Sequence, residues 1–469
     1  MRVVLQSLLV TSVVAAPVVT AAQESTRPYR GLFGGGVGRW DQSLVANASV
    51  GTGYDTSAVL DLGDLGLGAK TPAAEAGGAS YGLFSGSLSY ALSRRRLAVT
   101  SGLAVSSRYY PQFTRDRFAS SYSATAGLGL NLSRRLDTTR PTHLSIDETV
   151  TYQPYTLFTL FPQLAGIAGG AQPTSIALAD AGLGQVPIVD QDFTAQHVDY
   201  YSYTTAVSLN RALSRRWSGS FGYSYHYSDL PSNTADFWSQ SATARASTSF
   251  TRYMGLHIGY GVVQGQYWDY DTDGVPHSSK SVFSHNIDVG LDYSRSLSLT
   301  RRTTLGFSTG AAAVSDRHTT RYSGIGSANL ARQIGRTWTA SLSYNRSVAF
   351  IEILREPVFY DGVSAAIGGL LGRRISVQGS VGTAFGNIGG TQNNSVGGRR
   401  NPLDSYYGNA GMNIGLTRNL ALGVSYMYYH YTFNTSAFLP IGFPQQLDRH
   451  SVRATLNAWV PVIQRARRR

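Results

Sequence analysis

Nine histidines and 27 acidic residues are the raw material for chemistry in this 469-residue chain, and their spacing suits little of it. No His-Glu-x-x-His pair occurs, and the absence of cysteine removes thiolate metal sites, thiol nucleophiles and disulfides. Asp269-Tyr270-Asp271-Thr272-Asp273-Gly274 matches the start of a calcium loop, with alternate carboxylates ahead of a turning glycine. Its twelfth position is Lys280, where such a loop needs a bidentate carboxylate, so the segment reads as a solvated acidic turn. His226, Ser228 and Asp229 supply the residue types of a hydrolytic trio, without a positioned base and orienter. Gly127-x-Gly129 and Gly34-Gly35-Gly36 lack the Lys-Ser/Thr or the helix that would make them phosphate cradles. The residues therefore point away from an enzyme and imply no cofactor and no metal.

What remains is ionic groups set at regular intervals in alternating sequence. Phe118, Tyr122, Ala124, Ala126, Leu128, Leu130 and Leu132 fall on one parity. Ala119, Ser121, Ser123, Thr125, Gly127, Gly129 and Asn131 fall on the other, and Ser133-Arg134-Arg135 follows. A strand turns successive side chains to opposite faces, so such a segment has one apolar face and one wet face. The pattern recurs along most of the chain. Leu213-Ser214-Arg215-Arg216, Leu299-Thr300-Arg301-Arg302 and Gly372-Arg373-Arg374 each separate two alternating runs. Arg108, Asp147, Arg245, Asp288, Asp292 and Arg453 stand on the wet parity. They are the candidates for lining an interior, either as ion pairs holding the wall or as groups facing a channel. Glu148 falls on the apolar parity between Ile146 and Val150, which points to a bulge or a register change there.

The runs number about 18, roughly 16–18 by the pattern, each of ~10 residues plus its connection. Connections alternate in length. Those at Arg94, Arg134, Arg215, Arg301 and Arg373 are tight, whereas Asp55–Ser80, Tyr155–Gln196, Asp269–Ser281, Gly386–Asp404 and Asn434–Arg449 are long. Membrane barrels have short periplasmic turns and longer outer loops, so the Arg turns are expected in the periplasm together with both ends of the barrel.

The N-terminus reads as a secretory signal: Arg2, a mostly apolar run from Val3 to Val14, then small residues to Ala22. The expected organisation is a signal peptide at 1–22, a periplasmic arm at 23–40, an all-β transmembrane antiparallel barrel at 41–463 and a basic tail at 464–469. No segment offers the ~20 apolar residues of a membrane helix. Charged residues make up only 14% of the chain, while glycine (51) and tyrosine (29) are abundant, a balance that suits strands and interfacial aromatic belts. The net charge of +13 is spread one or two arginines per turn and not gathered on one surface, which argues against a nucleic-acid partner.

The signal, the alternating runs and the Leu-Ser-Arg-Arg or Leu-Thr-Arg-Arg turns together resemble the bacterial outer-membrane β-barrel proteins of the porin type, over about Leu44 to Ile463. The resemblance implies a bacterial outer-membrane location, insertion into the lipid bilayer by the barrel-assembly machinery, and passive passage of small polar solutes. Export of a surface polysaccharide and a structural or adhesive barrel are the alternatives. Such barrels usually end on an aromatic residue; this chain has Val462-Ile463 followed by Gln-Arg-Ala-Arg-Arg-Arg, and Pro461 removes a ladder donor from the last strand. A TonB-type transporter fits poorly, since it needs about 22 strands and a plug.

Overall fold

A computed structural model of the chain describes residues 32–33, 41–59, 77–93, 97–111, 120–137, 140–156, 194–229, 236–270, 276–298, 301–315, 320–335, 337–350, 357–388, 402–433 and 446–465. The expected signal peptide and C-terminal tail lie almost wholly outside these residues, and of the arm only Leu32 and Phe33 are described.

Eighteen strands follow one another. The first nine are β1 (Gln42–Val59), β2 (Gly77–Ser93), β3 (Leu97–Tyr109), β4 (Ser120–Asp137), β5 (Arg140–Thr156), β6 (Thr194–Ala212), β7 (Trp217–Asp229), β8 (Phe237–Ser249) and β9 (Met254–Tyr270). The second nine are β10 (Pro276–Ser298), β11 (Arg301–Ser315), β12 (Thr320–Ile334), β13 (Trp338–Phe350), β14 (Pro357–Leu371), β15 (Ile375–Ile388), β16 (Pro402–Gly415), β17 (Leu420–Phe433) and β18 (Gln446–Arg465). Each pairs antiparallel with its sequence neighbours, and β1 pairs with both β2 and β18, closing the sheet into a barrel. Closure removes the free edges that an open sheet would present.

The alternation seen in the sequence becomes two faces. Val50 and Tyr54 of β1, Phe84 and Leu88 of β2, Leu103 and Val105 of β3, Ile287 and Val289 of β10, and Val452 and Leu456 of β18 are exposed on one parity. Leaving each such side chain in water would cost about 1.5–3 kcal/mol, so a band of this size needs an apolar solvent. A closed barrel satisfies all its backbone groups internally and is one of the two structures able to stand in hydrocarbon. The molecule is a transmembrane β-barrel of the outer-membrane type, apolar outside and polar within.

Strands are longer than a bilayer demands. β3 has 13 residues and β10 has 23, against the ~9–11 that span a membrane. The first strand runs on past Asp55, where a long connection was expected, to Val59. The extra length shortens the connections: Asp269–Ser281, read as a long loop, is mostly strand, with only residues 271–275 between β9 and β10.

Connections of two to four residues join β2–β3, β4–β5 and every second pair thereafter to β16–β17, all at one end of the barrel. This turn end also carries the start of β1 and the finish of β18. Three of its turns share one construction. Ser214 Oγ accepts from the backbone N–H of Arg216 (3.3 Å) and Trp217 (3.0 Å), Thr251 Oγ1 from Tyr253 (3.2 Å) and Met254 (3.0 Å), and Thr417 Oγ1 from Asn419 (3.2 Å). The hydroxyl closes the turn, as short polar side chains do in tight connections. Gly335 (φ 68°) and Gly372 (φ 73°) turn two others in the left-handed region that glycine enters at no steric cost.

Two irregularities of the sequence resolve differently. At Pro461 the β1–β18 register shifts between Leu44 and Val45, so a bulge absorbs the missing donor. At Glu148 no bulge exists: β5 keeps register with β4 and β6 on both sides of it. Glu148 stands opposite Leu128 on the outer face, and its Oε2 accepts from Tyr203 Oη (2.5 Å) and Thr205 Oγ1 (2.7 Å). Two hydroxyls satisfy the carboxylate where water is scarce, which removes the need for a register change.

Candidate functional site

The inner wall is the site. Its register brings together three of the six charged residues expected there. Arg245 of β8 lies opposite Gly259 of β9, which lies opposite Asp288 of β10. Arg245 Nη2 donates to Asp288 Oδ2 at 3.1 Å across the gap. His257 of β9 links this pair to a third: Nε2 is 3.3 Å from Asp288 Oδ2 and Nδ1 is 2.8 Å from Asp292 Oδ2. Glycines make the room, since a Cβ on Gly259 would meet the Asp288 carboxylate and one on Gly290 the His257 ring. Strand glycines of this kind mark close approach. Sequence reasoning missed His257. Its signal was parity: it is a lone imidazole on the wet face, between Leu256 and Ile258.

The other three expected residues stay apart. Asp147 of β5 is half-buried beside Gly129 of β4, where a Cβ would lie 2.8 Å from its Oδ1. Arg108 of β3 is buried with its guanidinium carbon 5.1 Å from the Tyr81 ring centre, within cation–π range. Arg453 of β18 directs Nε to Ser425 Oγ at 3.2 Å, in a shallow cleft lined by Gln378, Asn409, Gly411 and Met427. β9 and β18 are half the strand count apart, so the Arg245–His257–Asp288–Asp292 cluster and the Arg453 cleft belong to opposite sides of the barrel. A further inner-wall pair, Asp55 with Arg449, was not anticipated, because both residues fell in segments read as loops.

Of the turn arginines, Arg215 and Arg373 sit in tight turns at the turn end. Arg134 was expected in a turn and lies within β4, opposite Thr142, because the ladder continues to Asp137↔Arg140. Arg301 opens β11, and Arg94 lies outside the described residues. The hydrolytic trio does not form: Ser228 and Asp229 are strand neighbours on opposite faces, and His226 Nδ1 is engaged by Thr204 Oγ1 at 2.8 Å. Residues 271–274 of the acidic turn lie outside the described residues.

The wall changes character along the axis. Toward the turn end, Gln378, Asn409, Ser425 and Arg453 are half-exposed. Toward the loop end, the same parity carries Tyr81, Leu83, Phe237, Tyr267, Val282, Tyr360, Leu403, Tyr407, Tyr429, Tyr431 and Leu447, all buried. The polar lumen is therefore capped by an apolar and aromatic collar, which the sequence reading had taken as continuously wet.

No protein-family model matches the chain, and no curated protein matches it in sequence. Solved structures similar to it include the open form of the ferric-catecholate import receptor Fiu from E. coli K12 (8% identity, 91% of this chain and 83% of that chain, TM-score 0.41). Others are Pseudomonas aeruginosa OpdQ (10% identity, 90% and 98%, TM-score 0.42) and Acinetobacter baumannii OccAB4 (11% identity, 90% and 99%, TM-score 0.40).

Proposed function

We propose that this outer-membrane barrel is a passive channel for small polar solutes, with its Arg-bearing turns in the periplasm and its long connections outside the cell. The observation that carries the reading is the turn-end inner wall. There, amides, hydroxyls and ionic groups of both signs stand half-exposed on one face of every strand that holds them, while the opposite face is apolar. Small side chains cannot fill a barrel of about 18 strands, so the space between them is available to water. Field focusing needs one sign of charge along a low-dielectric wall, and Arg245 beside Asp288 and Asp292 does not supply it. The channel is therefore expected to show weak ion selectivity and to pass small neutral sugars.

Planar-bilayer recording tests this. Stepwise conductance with reversal potentials near zero in a salt gradient is the expected result. Absence of any conductance from folded protein would sink it.

A second reading, export of a surface polysaccharide, is favoured by the collar, where Tyr81, Tyr360, Tyr407, Tyr429 and Tyr431 stand buried on the inward parity. Linear oligosaccharides that block the current more strongly with increasing length would support export over free diffusion.

A further inference from the structure

The pairing of β12 with β13 stops early. It runs from Ile334↔Trp338 to Gly326↔Arg346. Beyond that level β12 continues to pair with β11 as far as Thr320, and β13 with β14 as far as Phe350. Among the described residues, two strand edges thus lie side by side without a ladder between them toward the loop end. Arg346 Nε donates to the Gly324 carbonyl at 3.1 Å and so occupies one acceptor of the β12 edge.

Past the split, the faces of β13 and β14 exchange roles. Val348 and Phe350 share parity with Leu342 and Tyr344, which are exposed on the outer face, and Phe359 shares parity with exposed Val363 and Ile367. Yet Val348, Phe350 and Phe359 pack against Phe237, Tyr267, Val282 and Val314, which belong to the inner wall of β8–β11. The approach is close enough that a Cβ on Gly265 would lie 2.9 Å from Phe350 Cδ1. The loop end of the β13–β14 hairpin is therefore tucked inside the wall, its lipid-parity side chains docked on the lumen face of its neighbours.

The same register has a second solution. Extending the β12–β13 ladder sets Gly324 opposite Val348 and Tyr322 opposite Phe350. All of these carry outer parity, and Tyr322 is now 81% exposed, more than any other large apolar residue described. Zipping would pair both open edges, return Val348 and Phe350 to the outer face beside Tyr322, and uncover the apolar cluster. Docking buries apolar surface and leaves edges open; zipping satisfies the edges and releases the surface. Each arrangement meets one requirement at the expense of the other, as a bistable element does.

We propose that the loop end of β12–β13 is a two-state zipper, and that its docked and zipped states set a narrow and a wide barrel mouth. The hairpin would then determine the largest solute admitted, a role that rests on the channel reading above. Phe350 is the residue shared by both states.

The chain has no cysteine, so paired substitutions can trap each state cleanly. Gly265→Cys with Phe350→Cys, or Val314→Cys with Val348→Cys as a second pair, reports docking. Tyr322→Cys with Phe350→Cys reports zipping, since directly opposed Cβ atoms lie about 4.5–5.5 Å apart. Reduced samples that keep heat-modifiable gel mobility establish that each variant folds. Upon oxidation in vesicles both kinds of cross-link should form, and in planar bilayers the docked cross-link should give a severalfold smaller unitary conductance than the zipped one, reversed by reductant. A Tyr322/Phe350 pair that never cross-links would mean a fixed hairpin, and a docked pair that never cross-links would mean no docking; either overturns the proposal. Equal conductance in both trapped states would overturn the role in mouth width. If both cross-links form and neither the variants nor the parent conduct, the failure belongs to the channel reading.

Discussion

Arg449 and Asp55 form a fully buried ion pair across the junction between the last strand and the first. Arg449 Nε lies 2.8 Å from Asp55 Oδ1 and 2.9 Å from Oδ2, and Nη2 also donates to Oδ2; both side chains are 0% exposed. Removing one partner strands a buried charge. Arg449→Ala and Asp55→Ala are each expected to destabilise the barrel by about 3–5 kcal/mol, with the double variant costing far less than their sum. Urea unfolding in vesicles measures this; additive losses would mean that the two residues act independently.

Glu148 gives the opposite sign for two changes at one place. Thr205→Val removes a donor from a carboxylate on the outer face and should cost about 1–3 kcal/mol. Glu148→Leu replaces the carboxylate with the residue type its lipid-facing neighbours carry and should be neutral or stabilising. The same unfolding assay decides it, and a destabilised Glu148→Leu would indicate that the Tyr203 and Thr205 hydroxyls need the carboxylate as acceptor.

The two faces can be separated with one residue type. Ala126 of β4 is exposed on the outer parity, and Ala104 of β3 is on the inner parity, opposite Thr125. Ala126→Arg should destabilise by about 2–4 kcal/mol, the cost of a cation on the lipid face near the midplane, while Ala104→Arg should be mild. Equal folding yields into vesicles would contradict the assignment of faces.

Asp288→Asn together with Asp292→Asn leaves Arg245 and His257 on the wall without their counter-charges. The reversal potential in a salt gradient should shift toward anions by a few-fold in permeability ratio. An unchanged potential would place this cluster away from the conduction path.

The barrel was legible in the sequence because a lipid outside and water inside impose a period of two on every strand, and eighteen strands repeat that signal. Arg245, Asp288 and Asp292 could be assigned to the interior for the same reason. That they meet through His257 could not be read, because it depends on register across three strands, which parity leaves open to slips of two residues. In the turns the arginine is the repeated residue, yet the hydroxyls of Ser214, Thr251 and Thr417 do the closing, a role that depends on backbone geometry and not on the repeat. Glu148 was misjudged because parity alone does not reveal a neighbour such as Thr205 able to satisfy a carboxylate. The inward aromatic collar could not be read, because parity tells which face a side chain takes and not how the inner face changes along the barrel.

The junction of β1 with β18 also makes the two ends of the chain depend on each other. Without that junction the sheet would be a curved ribbon with two margins, each a row of unsatisfied backbone groups. Asp55 has its partner 394 residues downstream, so their ion pair exists only where the two margins meet. Without β18, β1 and β17 would each lose their ladder on one side, and Asp55 would lose Arg449. Closure is therefore a property of the whole chain, held by its two extreme strands together.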